Sequence, residues 1–291
     1  MTRREVLVLA GAAATARAAA RESRVSVEGY IFQQYAQRAK KPLGEVLGEV
    51  IPMARAAGFH NVELNQAFFA PELRARTVDL LHASGLRMPS VYVGGAMHEA
   101  EAAEKTTELA LQVAEICRPF GCTGVVNNPN PKPGGAEKTD AELTVQGEQI
   151  NLLGAALKKQ GVELRIHNHT PEMVSGAREF RSTLRTTNAA ICLDLDWVHQ
   201  GGMDPFELLH EAGSRVTEVH LRNSKEKLWL ESLNEGDVDY SRIAAQMKRE
   251  RQRPLLVVEL AWRDNTSVTR SLAENLTLSR KFAERVFGEA A

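Results

Sequence analysis

The chain has 291 residues, with 36 Lys and Arg against 37 Asp and Glu and 43% hydrophobic residues, a composition that excludes disordered and fibrous classes. It lies one charge from neutrality and only 5% of it is aromatic. A nucleic-acid partner is therefore not expected, because binding one calls for a basic stripe and stacking side chains.

The first segment reads as a targeting signal. Thr2-Arg3-Arg4, the modestly apolar run Val6 to Ala16 and the small residues Ala18 to Ala20 resemble a twin-arginine export signal over residues 1–20. The run is shorter than the ~20 residues of a bilayer span, so no stable membrane anchor is expected. The expected destination is the periplasm; an alanine-rich N-terminal helix on a cytoplasmic protein is the alternative. Cleavage would remove Arg3, Arg4, Arg17 and Glu5, so that 36 basic and 37 acidic residues become 33 and 36, a net charge of −3.

Beyond the signal, short β-rich runs alternate with amphipathic stretches. The first strand is read at Val25 to Val27, followed by a helix from Leu43 to Ala57. The second strand covers Asn61 to Leu64, with a helix from Pro71 to Ser84 that Gly85 stops. A third strand lies within Arg87 to Val93, before a long helix from Glu99 to Phe120. The fourth strand, Thr123 to Asn127, opens into a Pro/Gly-rich loop and a helix from Asp140 to Gln160. Strands at Val162 to Ile166, Ala190 to Leu195, Val216 to Leu221 and Leu255 to Leu260 follow, each with a helix after it. Continuous runs such as Leu255-Leu256-Val257-Val258 suit a parallel sheet covered by helices. Eight strand–helix units without a composition break predict an α/β fold, a single (β/α)8 barrel over residues 25–287. A doubly wound open sheet would call for a G-x-G-x-x-G turn, which the sequence lacks. Cys117, Cys122 and Cys192, odd in number and without CxxC spacing, read as small core residues.

In such barrels the chemistry sits at the C-terminal strand ends. Those positions hold Glu63-Leu64-Asn65, Asn127-Asn128, His167-Asn168-His169 with Glu172 beyond, Asp194-Leu195-Asp196-Trp197, His220-Leu221-Arg222 and Glu259. Five of eight histidines, His98, His167, His169, His199 and His220, fall on this rim. Carboxylates and imidazoles converging from strands five to eight are the ingredients of a mixed O/N site for one divalent ion, with Mn²⁺, Mg²⁺, Co²⁺ and Zn²⁺ all compatible.

The run from Cys192 to Pro205, with Asp-x-x-Trp followed by Gly-Gly-x-Asp-Pro, resembles the xylose isomerase-like TIM barrel superfamily of sugar-phosphate isomerases and epimerases. Val219-His220-Leu221-Arg222-Asn223, Val258-Glu259 and His167-Asn168-His169 carry the same resemblance, which spans Val25 to Phe287. It implies a divalent metal, commonly Mn²⁺, held by Asp194, His220 and Glu259, and a carbonyl sugar as substrate. The strand-five ligand departs from the pattern: a glutamate is expected where His167 stands. Either His167 coordinates or Glu172 reaches back from the loop, with the preference slightly for Glu172.

Such an ion would stabilise the enediolate formed when the proton α to the carbonyl is lost. Glu259 is one acid–base candidate, and His167 or His169 the other, because imidazole titrates near working pH. Arg222 and Lys225 are read either as substrate-holding groups or as salt-bridge partners of barrel carboxylates such as Asp196. Trp197 and Trp262 are read as stacking platforms or packing. A metal-dependent sugar isomerase or epimerase is the expected function. Histidine in place of a glutamate raises a 3-keto-glycoside lyase or inosose-type dehydratase as the alternative. A phosphodiesterase resembling apurinic-site endonucleases would need a histidine where Trp197 stands, and a non-catalytic sugar-binding barrel would not need the full ligand set. A homo-oligomer is compatible with the sequence.

Overall fold

A computed structural model describes residues 23–288 of the chain. The export-signal expectation falls outside these residues. The barrel strands are β1 (Val25–Glu28), β2 (Asn61–Glu63), β3 (Ser90–Tyr92), β4 (Gly124–Asn127), β5 (Glu163–His167), β6 (Ala190–Asp194), β7 (Val216–Leu221) and β8 (Leu255–Val258). All neighbouring pairs are parallel and β1 pairs with β8. Single parallel bridges, Asn61 with Arg87 and Asn65 with Tyr92, join β2 to β3 and close the ring. The fold is thus the (β/α)8 barrel expected.

The covering helices are α1 (Tyr30–Arg38), α2 (Leu43–Ala56), α3 (Arg74–Ser84), α4 (Ala100–Cys117), α5 (Asp140–Lys159), α6 (Val174–Thr186), α7 (Leu195–Gln200), α8 (Pro205–Ala212), α9 (Tyr240–Arg249) and α10 (Leu272–Phe287). Their starts follow local chemistry. Thr139 with Glu142, and Ser271 with Glu274, form reciprocal capping boxes on α5 and α10. Gly85 ends α3 in the left-handed conformation, as its position predicts. The sequence reading missed α1, and also a hairpin after β7 made of Ser224–Lys225 and Leu228–Trp229. The cysteines are buried and free. Among the described residues no helix is long and apolar enough to cross a membrane.

The core between sheet and helices is aliphatic, with Val27, Ile51, Leu64, Val91, Val125, Ile166, Leu193, Val219 and Val258 all buried. Inside the ring, alternation turns the other set of side chains toward the axis. That set includes Glu63, Arg165, His167, Cys192, Asp194, Glu218 and His220, and every one of them is buried. A hydrocarbon-filled interior is the usual solution, so a polar axis marks where this barrel has departed from packing for stability alone.

Candidate metal and sugar site

Register builds the site. Asp194 of β6 lies beside His220 of β7, and His167 of β5 lies beside Cys192, two residues earlier on β6. Glu259 follows directly after β8, its N–H donating to Leu221 O at 3.0 Å. One donor atom each from His167, Asp194, His220 and Glu259 lies within 4.8 Å of the others, and all four residues are buried.

Much of this cluster is short of partners. Both ring nitrogens of His167 are buried with no hydrogen bond, as are both carboxylate oxygens of Glu63. His220 stands between two carboxylates, Nδ1 2.6 Å from Glu259 Oε2 and Nε2 3.0 Å from Glu63 Oε1, the latter off hydrogen-bond geometry. Arg222, itself buried, donates to Glu259 Oε1 at 2.7 Å and to Asp194 Oδ2 at 3.3 Å, and approaches Asp196 Oδ2 at 3.4 Å. It is therefore a barrel ion-pair partner. The Arg222 carbonyl accepts from the Tyr240 hydroxyl. Asp194 has two tasks, since its Oδ1 also caps α7 by accepting from Trp197 N at 2.6 Å.

The electrostatics follow from burial set against these neighbours. Burial pushes Glu259 up, but Arg222 and His220 outweigh it and hold the carboxyl well below the usual carboxylate range. Burial lowers His220, yet Cys192 and Glu63 together hold it well above the imidazole value. Asp194 is raised by burial to about 8, with Arg222 only partly compensating. His167 is pushed well down by burial and by His220, and His169 is lowered to about 4, chiefly by burial.

Glu172 is not brought to this cluster. Its Oε1 accepts from Asn128 Nδ2 at 3.1 Å and its Oε2 from His169 N at 2.8 Å, so it braces the loop that carries His169. Burial raises it to about 7. His98 is buried elsewhere on the rim and His199 lies 3.4 Å from Asp237. Lys225 is exposed, while Trp262 is buried beneath Arg38. Asn128 is spent on the His167 carbonyl and on Glu172, whereas Asn127 donates to Val93 O and keeps its Oδ1 buried without a hydrogen bond.

Above the cluster opens a cavity of about 390 Å³, a size suited to one small ligand. His167, His169, Trp197, Arg222 and Glu259 line it, together with Glu28, Tyr30, Asn65, Tyr92 and Trp229, which the sequence reading did not single out. Glu28 closes β1 across the barrel from His169. Burial, Glu259 and Glu63 raise it well above the carboxylate range. The signal for Glu28 was available, because it ends a strand as Glu63 and Glu259 do. A larger groove of about 870 Å³ lies away from this chemistry, where Lys158, Glu163, Ala190 and Arg215 meet.

The donor set fits a divalent ion: two carboxylates and two imidazoles converge, and His167 has no other use for its ring nitrogens among the described residues. A family model described as xylose isomerase-like TIM barrel matches residues 51–282. An inosose dehydratase from Geobacillus kaustophilus is 24% identical over 213 residues, 67% of this chain and 66% of that enzyme's length. A sugar phosphate isomerase/epimerase from Parabacteroides distasonis superposes with a TM-score of 0.71 at 17% identity, covering 94% of this chain and 96% of that one. A 3-keto-D-glucoside 4-epimerase from E. coli gives 0.67 at 13% identity, covering 91% of this chain and all of the other.

Proposed function

The chain belongs to the xylose isomerase-like TIM barrel family, and we propose that it is a divalent-metal-dependent isomerase or epimerase acting on a carbonyl sugar through an enediolate. The observation that carries this reading is the convergence of His167, Asp194, His220 and Glu259 beneath a small cavity, with both His167 nitrogens unpaired. These four residues, with His167 in place of Glu172, would hold the ion, Mn²⁺ being expected and Mg²⁺, Co²⁺ or Zn²⁺ compatible; its charge would stabilise the enediolate.

The remaining chemistry belongs to the side chains. His169, kept neutral by burial, accepts the α-proton from one side of the cavity. Glu28, held protonated across the barrel, returns a proton from the other. Glu259, kept ionised by Arg222, is the alternative base, and Arg222 fixes the orientation of both Glu259 and Asp194. Tyr92, Trp197 and Trp229 exclude water from the reacting carbon.

One observation favours a second reading. A histidine at the strand-five position removes one of the two carboxylates of a symmetric epimerase, which suits β-elimination from a 3-keto-glycoside or an inosose-type dehydration. The similarity to an inosose dehydratase supports it. Incubating the metal-loaded protein with methyl 3-keto-glucosides in D₂O separates the two. Deuterium in recovered sugar without loss of methanol is expected; methanol release with glycal formation selects the lyase, and neither result refutes both. We propose further that residues 1–20 direct export through the twin-arginine route. Replacing Arg3 and Arg4 by Lys is then expected to leave the protein in the cytoplasm, and undiminished delivery to the periplasm would overturn this.

A further inference from the structure

The hairpin after β7 is a tight one, closed by a two-residue turn of the kind that needs a left-handed backbone. Its turn residues Glu226 and Lys227 both have positive φ, 53° and 60°. That left-handed backbone is disfavoured for a non-glycine residue and persists only where the surroundings impose it. Asp237 imposes it, its Oδ1 accepting from Glu226 N at 3.0 Å and its Oδ2 from Lys227 N at 2.8 Å. What the turn delivers is Trp229. This ring is at once a wall of the central cavity and a wall of a second groove, of about 510 Å³, outside it. Arg222 and Arg263 both pack on the indole, 4.2 and 4.1 Å from its centroid, and hold it in place.

The opposite wall of the groove is equally fixed. Glu231 accepts from Thr269 N at 2.8 Å, Thr269 Oγ1 at 2.7 Å and Arg270 Nη1 at 2.7 Å. The lining charges balance, Lys225 and Arg270 against Glu226 and Glu231. Between them Asn234, Asn265 and Ser267 offer amides and a hydroxyl, beside Leu228, a large apolar side chain left 48% exposed. A preformed polar surface whose charges balance, with an apolar platform beside it, suits a sugar ring. A phosphate would call for an excess of guanidinium or ammonium groups.

We propose that this groove is a second sugar subsite: the substrate is a glycoside of at least two rings, with its carbonyl-bearing ring in the central cavity and the next ring beyond Trp229. The proposal rests on the sugar reading of the central cavity. It is tested by calorimetric titration of the Mn²⁺-loaded protein with 3-keto-maltose and 3-keto-cellobiose against the methyl 3-keto-α- and β-glucosides. One disaccharide is expected to bind about tenfold or more tightly than its methyl glycoside. Ser267→Trp, which fills the groove, should remove that advantage while methyl glycoside binding stays unchanged. Should Ser267→Trp disturb the fold, the Asn234→Ala/Asn265→Ala double variant is expected to weaken only the disaccharide. Equal binding of mono- and disaccharides, or an advantage that survives both variants, overturns the subsite and leaves the sugar reading standing. Binding of none of the four overturns both.

Discussion

Inside one barrel, β5 and β7 each carry two inward polar residues a single layer apart, and the two layers behave differently. In the lower layer Arg165 Nη1 donates to Glu218 Oε2 at 2.6 Å, its Nε to Glu163 Oε2 at 2.8 Å, and Ser90 Oγ to Glu218 Oε1 at 2.7 Å. Even the backbone accommodates it, because a Cβ on Gly124 would stand 2.4 Å from Arg165 Nη1. Two residues further along, His167 and His220 sit among Glu63, Asp194 and Glu259 with ring nitrogens and carboxylate oxygens left unpaired. A buried polar group without a partner costs about 1–3 kcal/mol, so the lower layer is finished structure and the upper one is held open for something else.

The largest expected effect breaks the lower layer. Arg165→Met leaves Glu218 buried and without its cation, and should cost about 3–5 kcal/mol in chemical denaturation while Mn²⁺ binding stays stoichiometric. A loss of metal with no loss of stability would reverse the roles of the two layers. Next in size is the effect of the ion on the upper layer. Mn²⁺ at a thousandfold excess over its Kd should stabilise the wild-type protein by about 4 kcal/mol, and His220→Ala should abolish the gain. Persistence of the full shift in that variant would place the ion elsewhere.

Glu172 gives a smaller, pH-dependent test. Its folded pKa, about 7, lies above the ordinary value of 4.5. The folded state therefore holds the proton more tightly, so stability falls as pH rises from 4.5 to about 7 and the penalty is complete above that. Glu172→Gln should remove the penalty, gaining up to about 3 kcal/mol at pH 8 relative to pH 4, and should retain metal. Loss of metal in this variant would make Glu172 the strand-five ligand.

The fold was legible because apolar runs such as Leu255 to Val258 mark strands and several helices carry their own signals, Gly85 ending α3 and Thr139 and Ser271 opening α5 and α10. Helix α1 was not, since Tyr30 to Arg38 follows Gly29 with no capping side chain and ends at Ala39 without a glycine. Asp194, His220, Glu259 and Arg222 were visible as polar residues ending strands. What each one touches was less so, because it depends on register. The choice between His167 and Glu172 turns on a loop conformation in which Asn128 and the His169 amide engage the Glu172 carboxylate, and spacing along the chain does not encode that. Glu28 ends β1 just beyond the residues read as strand, and Trp229 reaches the cavity only through a turn whose left-handed residues, Glu226 and Lys227, lack the usual Asn-Gly signature.

Whether the upper layer holds an ion is decided by metal analysis of the purified protein after loading with Mn²⁺ and removal of excess. One ion per chain is expected in the wild type and none in the Asp194→Ala/His220→Ala double variant. An equal metal content in the two would contradict it.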